Sequence, residues 1–349
     1  MKAITVEPLR AASIQLSEVP EPDPHDGAVL VEAIAVGVCG TDAEIVDGKY
    51  GWAAPGNSRL VLGHESLGRV LDPGSARSLK AGDLIAGIVR RPDPIPCPNC
   101  AVGEWDMCSN GLYTERGIKE IDGFMSERWR IEPEYAIRVD PALRLLGVLL
   151  EPTAVVTKAW EQVFAVGRRA FWEPRTALIT GAGPIGLLAA LLAKEQGLDV
   201  HVLDRVESGP KPELVHDLGA TYHHGLVADI GFSPDVIIEC TGVGEVIAAS
   251  IKAVARGGVV CLAGVGREGD FPSIPNAEIS SELVLGNKIL VGSVNANKRH
   301  WYKGAEALTR ADRSWLSRLI TRREEPKDFA NAFKSRGLDI KVVIQFSDV

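Results

Sequence analysis

The stretch from residue 181 to residue 186 reads Gly-Ala-Gly-Pro-Ile-Gly, and it follows a short apolar run, Thr176–Thr180. A helical pattern begins inside it and extends from residue 184 to residue 196, before Gly197. In a G-x-G-x-x-G unit, the first Gly permits a tight turn and the second lets the backbone approach a pyrophosphate at the helix N-terminus, while the third allows close helix–strand packing. The unit predicts a dinucleotide site at Gly181, Gly183, Pro184, Ile185, Gly186 and Leu187.

The chain after this unit alternates between strand-like and helical patterns. Apolar runs at Val200–Leu203, Val236–Cys240 and Val259–Ala263 are separated by helical patterns over 211–218 and 245–254. This alternation predicts an α/β fold in which helices cover both faces of a doubly wound parallel sheet. Such sheets bind ligands beyond the strand C-termini, so further cofactor contacts are expected, with simple turns as the alternative, at Thr241, Gly264, Val265 and Gly266.

Asp204 ends the second strand-like run, 18 residues after Gly186. An acid at this place accepts hydrogen bonds from the adenosine ribose and repels a 2′-phosphate, which favours NAD over NADP. Arg205 follows directly and could pair with that phosphate, so NADP remains open. A surface position for Arg205, or stacking on adenine, is about as well supported.

Composition limits the classes of function. The net charge is −8, whereas nucleic-acid binding needs a concentrated basic face. Short basic clusters such as Arg90-Arg91 are expected to be solvated surface. The N-terminus lacks the pattern of a signal peptide, and no apolar run is long enough to span a bilayer. We therefore expect a cytoplasmic protein with neither nucleic-acid nor membrane partners.

The first 150 residues are rich in short alternating runs, which predict β-strands, and they contain several metal-binding residue types. Cys39 lies in Gly-Val-Cys-Gly-Thr-Asp, His64 and Glu65 lie in Gly-His-Glu, and Glu151 lies in Leu-Glu-Pro. Thiolate, imidazole and carboxylate together suit zinc. Each residue alone is ordinary, but their combination ahead of a dinucleotide site indicates a metal-dependent oxidoreductase.

These motifs resemble those of the zinc-dependent medium-chain alcohol dehydrogenases along essentially the whole chain. The resemblance implies a GroES-like catalytic domain over 1–158, completed by 301–349, and a Rossmann domain over 159–300. It also implies that Cys39, His64 and Glu151 surround a catalytic zinc, with Glu65 as a direct or alternating ligand. Asp42 would orient His64, and Thr41 would hydrogen-bond the reacting oxygen.

Two stretches, residues 111–118 and 292–301, are similar to the glucose 1-dehydrogenase branch of that family. The resemblance implies that Glu115 and His300 contact sugar hydroxyls, as Thr41 and Glu151 would, and that Asn295 lies by the nicotinamide and the sugar. Without it, Glu115 and His300 would rank as surface residues. Ser293 and Val294 precede Asn295 and are also expected to contact the cofactor.

The function that the resemblance implies is oxidation of the C1 hydroxyl of an aldose, D-glucose first, to the lactone with NAD or NADP. A polyol or secondary-alcohol dehydrogenase is the alternative within the class. A non-catalytic cofactor-binding relative is the alternative outside it. The family also implies a homodimer or homotetramer, formed through an edge strand near Lys288–Val294.

A second cluster contains three of the six cysteines, Cys97, Cys100 and Cys108. They match three of the four cysteines in the family's structural zinc lobe. The remaining family position falls at Pro94, which cannot bind a metal, but the neighbouring Asp93 could supply an oxygen. Three interpretations stay open: zinc on three thiolates and a carboxylate, a weakened site, or an empty loop.

Overall fold

The computed structural model of the chain describes residues 1–266, 276–334 and 337–349. These form two compact units, one of residues 1–154 and 295–349 and the other of residues 155–294. The boundaries expected from the sequence lie at 158 and 300. The segment from Asn295 to His300 therefore belongs to the first unit. None of the helices in the described part of the chain is both long and apolar enough to cross a bilayer.

The N-terminal part of the first unit consists of short strands and two short helices. These are β1 (Lys2–Val6), β2 (Gln15–Glu18), β3 (Val29–Val38), α1 (Gly40–Val46), β4 (Leu60–Val61), β5 (Glu65–Asp72), β6 (Leu84–Gly87), β7 (Arg90–Arg91), α2 (Pro98–Ala101), β8 (Thr114–Arg116), β9 (Glu120–Ile121), β10 (Arg128–Ile131) and β11 (Ala136–Arg138).

Helix α3 (Leu150–Gly167) leads into the second unit, in which strands and helices alternate. The elements are β12 (Thr176–Thr180), α4 (Pro184–Glu195), β13 (Asp199–Asp204), α5 (Pro210–Asp217), β14 (Thr221–His224), β15 (Val236–Glu239), α6 (Gly244–Ala253), β16 (Val259–Leu262), α7 (Asn276–Gly286) and β17 (Ile289–Gly292). The bounds predicted from periodicity agree to within one residue at most ends, because buried apolar runs and Gly stops define them locally.

The C-terminal part returns to the first unit. It contains α8 (Lys298–Arg310), α9 (Arg313–Ser317), β18 (Ile320–Glu324), α10 (Phe329–Ala332) and β19 (Lys341–Gln345). Strand β19 pairs antiparallel with β3, which is the central strand of a sheet in the order β11-β6-β5-β3-β19-β18. The C-terminal segment is therefore an integral part of the β-rich unit, as the sequence predicts.

The second unit contains a six-stranded sheet in the order β14-β13-β12-β15-β16-β17. Every neighbouring pair is parallel, and the order is that of a doubly wound dinucleotide-binding sheet. The direction of winding reverses between β12 and β15, so the loops that follow these strands lie side by side at the C-terminal edge. The glycine-rich turn follows β12 directly, which confirms the predicted strand–turn–helix context.

The three glycines of that turn have different physical roles. Gly181 has a φ of +89°, which only Gly adopts without strain. A Cβ on Gly186 would lie 1.8 Å from the Gly181 carbonyl oxygen, so this glycine is required by packing. Gly183 has a φ of −83° and open space around the position of a Cβ. The fold does not require Gly183, and the space beside it is open to a ligand.

The contrast between the second and third glycine gives a stability test. We expect Gly186→Ala to lower the free energy of unfolding by about 1–3 kcal/mol, because the new methyl group forces the turn apart. Gly183→Ala is the matched control, and its effect should stay within about 0.5 kcal/mol. Urea denaturation of both variants measures the difference. Equal stability of the two would contradict the packing role of Gly186.

Candidate active site

The predicted metal ligands of the first unit meet where β3 ends and β5 begins. Cys39 follows β3 and precedes α1, while His64 and Glu65 enter β5. The Cys39 Sγ and the His64 Nε2 are 2.9 Å apart. One ligand atom from each of Cys39, His64 and Glu65 lies within 4.8 Å of the others. The structure thus brings together three of the four residues expected around the catalytic zinc.

Asp42 orients this cluster from the first turn of α1. Its Oδ2 accepts a hydrogen bond from the Cys39 backbone N–H at 3.0 Å, and its Oδ1 lies 3.4 Å from the His64 Nδ1. Asp42 therefore faces the far nitrogen of the imidazole and leaves Nε2 directed at Cys39. This is the arrangement by which carboxylates orient metal-binding histidines.

The charges of the cluster fit a bound cation. Burial alone lowers the pKa of the His64 imidazole, but Cys39 and Asp42 raise that pKa well above its ordinary value. Cys39 and Asp42 therefore favour positive charge at His64. Thiolate, imidazole and carboxylate donors within reach of one ion suit zinc. The residues that would hold it are Cys39, His64 and Glu65.

Glu65 is held by a lysine that the sequence analysis missed. The Lys341 Nζ donates to both carboxylate oxygens of Glu65, at 2.7 and 2.6 Å. Lys341 is only 1% exposed. Gly37 makes room for the carboxylate, because a Cβ there would lie 2.0 Å from the Glu65 Oε2. The single sequence signal was a lysine at the head of the apolar run Lys341–Gln345.

Glu151 lies at the start of α3 and is not part of the three-residue cluster found among the described residues. Burial raises the pKa of its carboxyl to about 7, with the charge of His64 acting in the opposite direction. A carboxyl group with a pKa near 7 can both accept and release a proton at neutral pH. Thr41, the other predicted catalytic residue, lies in the first turn of α1 between Cys39 and Asp42.

Glu115 and Asn295 contact each other although they are 180 residues apart in sequence. The Asn295 Nδ2 donates to the Glu115 Oε1 at 2.8 Å, and the Arg90 Nε and Nη2 donate to the same oxygen at 3.0 Å. The Arg90 guanidinium stacks on the Tyr113 ring at 3.6 Å. The sugar-contact residues predicted at these two positions therefore share one partly buried network.

The expectation that Arg90-Arg91 is solvated surface is wrong. Both residues are buried, and each is paired with a carboxylate: Arg90 with Glu115 and Arg91 with Glu132, the latter at 2.8 Å. Ion pairing is what permits a guanidinium to be buried. Sequence reasoning missed this because the partners lie 25 and 41 residues further along the chain.

His300 is fully buried in the first turn of α8, not on the surface. Its Nδ1 accepts a hydrogen bond from the Asn297 backbone N–H at 3.1 Å, so a neutral imidazole carries its hydrogen on Nε2. Asn295, five residues earlier, has a φ of +61°, and its Oδ1 accepts from the Ala296 N–H at 2.7 Å. Left-handed non-glycine residues are uncommon and concentrate at functional sites.

In the second unit, Asp204 is bound to the glycine-rich turn. Its Oδ2 accepts from the Ala182 N–H at 2.7 Å, and its Oδ1 accepts from the Val206 N–H at 3.1 Å. The Lys211 Nζ lies 3.3 Å from the Asp204 Oδ2, a contact that sequence reasoning missed. Arg205 is exposed. The predicted ribose-binding acid is therefore partly neutralised by a neighbouring lysine.

A buried carboxylate, Glu239, organises the remaining loops of the sheet edge. It accepts hydrogen bonds from the Thr180 and Thr241 hydroxyls and from the backbone N–H groups of Thr241 and Gly242, at 2.7 and 3.0 Å for the N–H groups. Gly242 packs against Val265, since a Cβ on Gly242 would lie 2.3 Å from the Val265 carbonyl oxygen.

The other predicted cofactor contacts fall at the same edge of the sheet. Gly264 and Gly266 flank Val265 after β16, with Gly266 at the end of the described segment. Ser293 and Val294 follow β17, and the Val294 carbonyl accepts a hydrogen bond from the Lys158 Nζ at 2.9 Å. The Ser293 Oγ is buried and has no hydrogen-bond partner within the described chain. An unpaired hydroxyl at this edge is suited to a ligand contact.

Cys97, Cys100 and Cys108 form the second cluster, with sulfur atoms within 4.8 Å of one another. Hydrogen bonds from Ser109 and Cys100 lower the pKa of the Cys97 thiol to about 6. The Asp93 carboxylate is not in the cluster and instead accepts from the Ile95 N–H and the Asn110 Nδ2, at 2.8 and 2.7 Å. The cluster therefore offers three sulfur ligands, and Asp93 is engaged elsewhere.

Comparisons with known proteins agree with this geometry. A family model described as alcohol dehydrogenase GroES-like domain matches residues 25–141, and one described as glucose dehydrogenase C-terminus matches residues 145–346. The glucose 1-dehydrogenase of Methanocella arvoryzae is 36% identical over 99% of both chains. Glucose 1-dehydrogenase 2 of Vulcanisaeta moutnovskia is 38% identical over 99% of both chains.

A solved structure, Haloferax mediterranei glucose dehydrogenase in complex with NADP, Zn and gluconolactone, superimposes with a TM-score of 0.91. It is 33% identical and matches 100% of both chains. The chain therefore belongs to the zinc-type medium-chain alcohol dehydrogenase family. Within that family it belongs to the glucose dehydrogenase branch.

The Glu65–Lys341 pair gives a second stability test. We expect Lys341→Met to lower the free energy of unfolding by about 3–5 kcal/mol, because it leaves the Glu65 carboxylate buried without a counter-charge. The double variant with Glu65→Gln should recover most of this loss. Urea denaturation at equal zinc content measures both. Lys49→Met, which breaks only the exposed Lys49–Asp47 pair, is the control and should change little. A double variant no more stable than Lys341→Met would contradict the ion-pair account.

Proposed function

We propose that the protein oxidises the C1 hydroxyl of an aldose, with D-glucose as the first candidate, to the lactone and passes the hydride to NAD or NADP. The observation that carries this proposal is the partly buried hydrogen bond between Glu115 and Asn295. Asn295 lies five residues before His300. Glu115, Asn295 and His300 are polar, and an apolar alcohol would offer them no hydrogen-bond partners. A site built from such groups rejects substrates that lack hydroxyls to pair with them.

The catalytic cluster accounts for the chemistry at the reacting carbon. Zinc, when bound at Cys39 and His64, supplies a Lewis acid that lowers the pKa of a coordinated hydroxyl. In this proposal, Thr41, in the first turn of α1 between Cys39 and Asp42, passes on the proton of the substrate. Glu151, with its pKa near 7, is suited to receive that proton and release it to solvent.

Lys341 sets the state of Glu65 in this scheme. By donating to both carboxylate oxygens, it holds Glu65 directed at β19. Lys341 is therefore the counter-charge of this buried carboxylate. Glu65 would thus hold the metal together with Cys39 and His64, as an adjustable ligand.

The sugar is bound through the network around Glu115. The Arg90 guanidinium and the Asn295 amide fix the Glu115 Oε1, so the rest of this carboxylate can accept from sugar hydroxyls. His300 contributes the Nε2–H donor that its Nδ1 hydrogen bond enforces. A polyol or secondary-alcohol substrate remains the second candidate, since these donors and acceptors suit any polyhydroxylated chain.

Both cofactors are proposed to be used. Asp204 favours the ribose 2′-hydroxyl of NAD, but Lys211 neutralises part of its charge, and Arg205 is free to approach a 2′-phosphate. The Haloferax mediterranei relative binds NADP. The open backbone at Gly183 and the unpaired Ser293 hydroxyl support a dinucleotide along this edge.

The cellular setting and assembly are also proposals. Six free cysteines support a reducing compartment such as the cytoplasm. Strand β17 is an edge strand of its sheet, and the exposed side chains of Leu290 and Val294 support pairing with a second copy there. Light scattering on the purified protein distinguishes a monomer from a homodimer or homotetramer.

The decisive assay follows reduced-cofactor absorbance for zinc-loaded protein with D-glucose and either NAD or NADP. We expect turnover with both cofactors and its loss with a chelator. His64→Ala should lose zinc and activity while keeping its circular dichroism spectrum. Activity only with polyols or secondary alcohols would discard the sugar assignment. No activity with any alcohol, despite bound zinc and cofactor, would favour a non-catalytic relative.

A single substitution tests the sugar site. We expect Glu115→Gln to raise the KM for glucose about tenfold or more, since a charge-assisted hydrogen bond to the sugar is weakened. The KM for the cofactor should stay unchanged. Glu134→Gln, at an exposed position of the same unit, is the matched control. Steady-state kinetics with each substrate varied in turn measures both. A wild-type KM for glucose in Glu115→Gln would remove Glu115 from the site.

A further inference from the structure

We propose that Glu104 and Asp106 are positioning residues for the sugar site and that they act through Asn297. These three residues are called the clamp below. The clamp holds the segment from Asn295 to His300, which carries two of the residues proposed to contact the sugar. This inference rests on the proposed function, but its structural part can be tested without activity.

Asn297 uses every polar atom of its side chain within the protein. Its Nδ2 donates one hydrogen bond to the Glu104 Oε2 at 2.9 Å and another to the Asp106 Oδ1 at 3.0 Å. Its Oδ1 accepts from the Arg299 N–H at 3.2 Å and so caps the N-terminus of α8. The residue is 2% exposed. Only a primary amide can donate to two carboxylates and cap a helix at once.

The backbone of Asn297 carries this restraint to His300. The Asn297 N–H donates to the His300 Nδ1 at 3.1 Å, and the His300 N–H donates to the Asn297 carbonyl at 2.9 Å. The position and the tautomer of the imidazole therefore depend on Asn297. A displacement of Asn297 would move the Nε2–H donor of His300 away from the sugar hydroxyl that it is proposed to contact.

Asp106 also contacts Arg90, which belongs to the network around Glu115. Its carbonyl oxygen accepts from the Arg90 Nη1 at 3.3 Å, and Arg90 holds the Glu115 carboxylate. The carboxylate of Asp106 binds Asn297, as described above. Asp106 therefore contacts both Arg90, which holds Glu115, and Asn297, which holds His300.

The loop that carries Glu104 and Asp106 is itself held in place by hydrogen bonds. The Glu104 N–H donates to the Asn99 carbonyl at 2.8 Å, and the Asn99 Nδ2 donates to the Met107 carbonyl at 2.6 Å. Arg299 adds a contact from α8, since its Nη1 lies 2.6 and 2.7 Å from the two oxygens of Glu104. In sequence the loop lies between Cys100 and Cys108. The inference therefore gives the cysteine lobe an indirect part in sugar binding, through Asn297.

The test uses Asn297→Ser, because Ser still caps a helix but cannot reach two carboxylates. We expect the KM for glucose to rise about tenfold, by loss of the two charge-assisted hydrogen bonds, with the KM for NAD or NADP unchanged. Asp106→Asn should act in the same direction, since it weakens the same bond while preserving shape. Asp312→Ala removes the cap of α9 in the same unit and controls for a general loss of stability.

Hydrogen exchange of the purified, zinc-loaded protein measures directly whether the clamp restrains residues 295–300. We expect the amides of residues 295–300 to exchange faster in Asn297→Ser than in the wild type and at the wild-type rate in Asp312→Ala. Unchanged exchange and an unchanged KM for glucose in Asn297→Ser would overturn the clamp. Faster exchange in a protein whose wild type oxidises no sugar would uphold the clamp and reject the proposed function.

Discussion

The ion pair between Glu65 and Lys341 joins residues 276 positions apart, and the catalytic cluster depends on it. Glu65 enters β5 beside His64, whereas Lys341 begins β19 at the far end of the chain. Neither charge is stable in the interior without the other. The cluster is therefore complete only where the C-terminal segment pairs β19 with β3. The discontinuous catalytic unit is a physical requirement of the site.

The same rule governs the other buried charges of that unit. Arg90 is buried with Glu115, and Arg91 with Glu132. Each pair joins separate segments, so each excludes alternative packings in which one partner would lose its counter-charge. In the proposed function these pairs also present carboxylate oxygens at fixed positions. Polar groups that are expensive to bury are retained where a hydrophilic substrate has to be recognised.

The second unit follows a different logic, in which local sequence decides most of the structure. Its central strands β12, β15 and β16 are apolar runs buried on both faces, and its turns are set by glycines whose roles can be assigned individually. Gly181 is required by conformation, Gly186 by packing, and Gly183 by neither. The glycine that the fold can spare is the one where the pattern predicts a pyrophosphate. The buried Glu239 adds a restraint that no pattern announces, because it binds Thr180 and Thr241 from two different loops.

The sequence by itself determined the two-part architecture, the strand and helix bounds of the parallel sheet, and the residues Cys39, His64 and Glu65 of the metal cluster. These follow from periodicity, glycine stops and short motifs, all of which are read within a few residues. Only the tertiary structure decided that Arg90 is buried, that Lys341 holds Glu65, and that Asn297 joins Glu104 to Asp106. Such contacts link residues 25 to 276 positions apart. The neighbouring sequence does not reveal these contacts, because a buried charged residue differs from a solvated one only in the distant partner that folding brings to it.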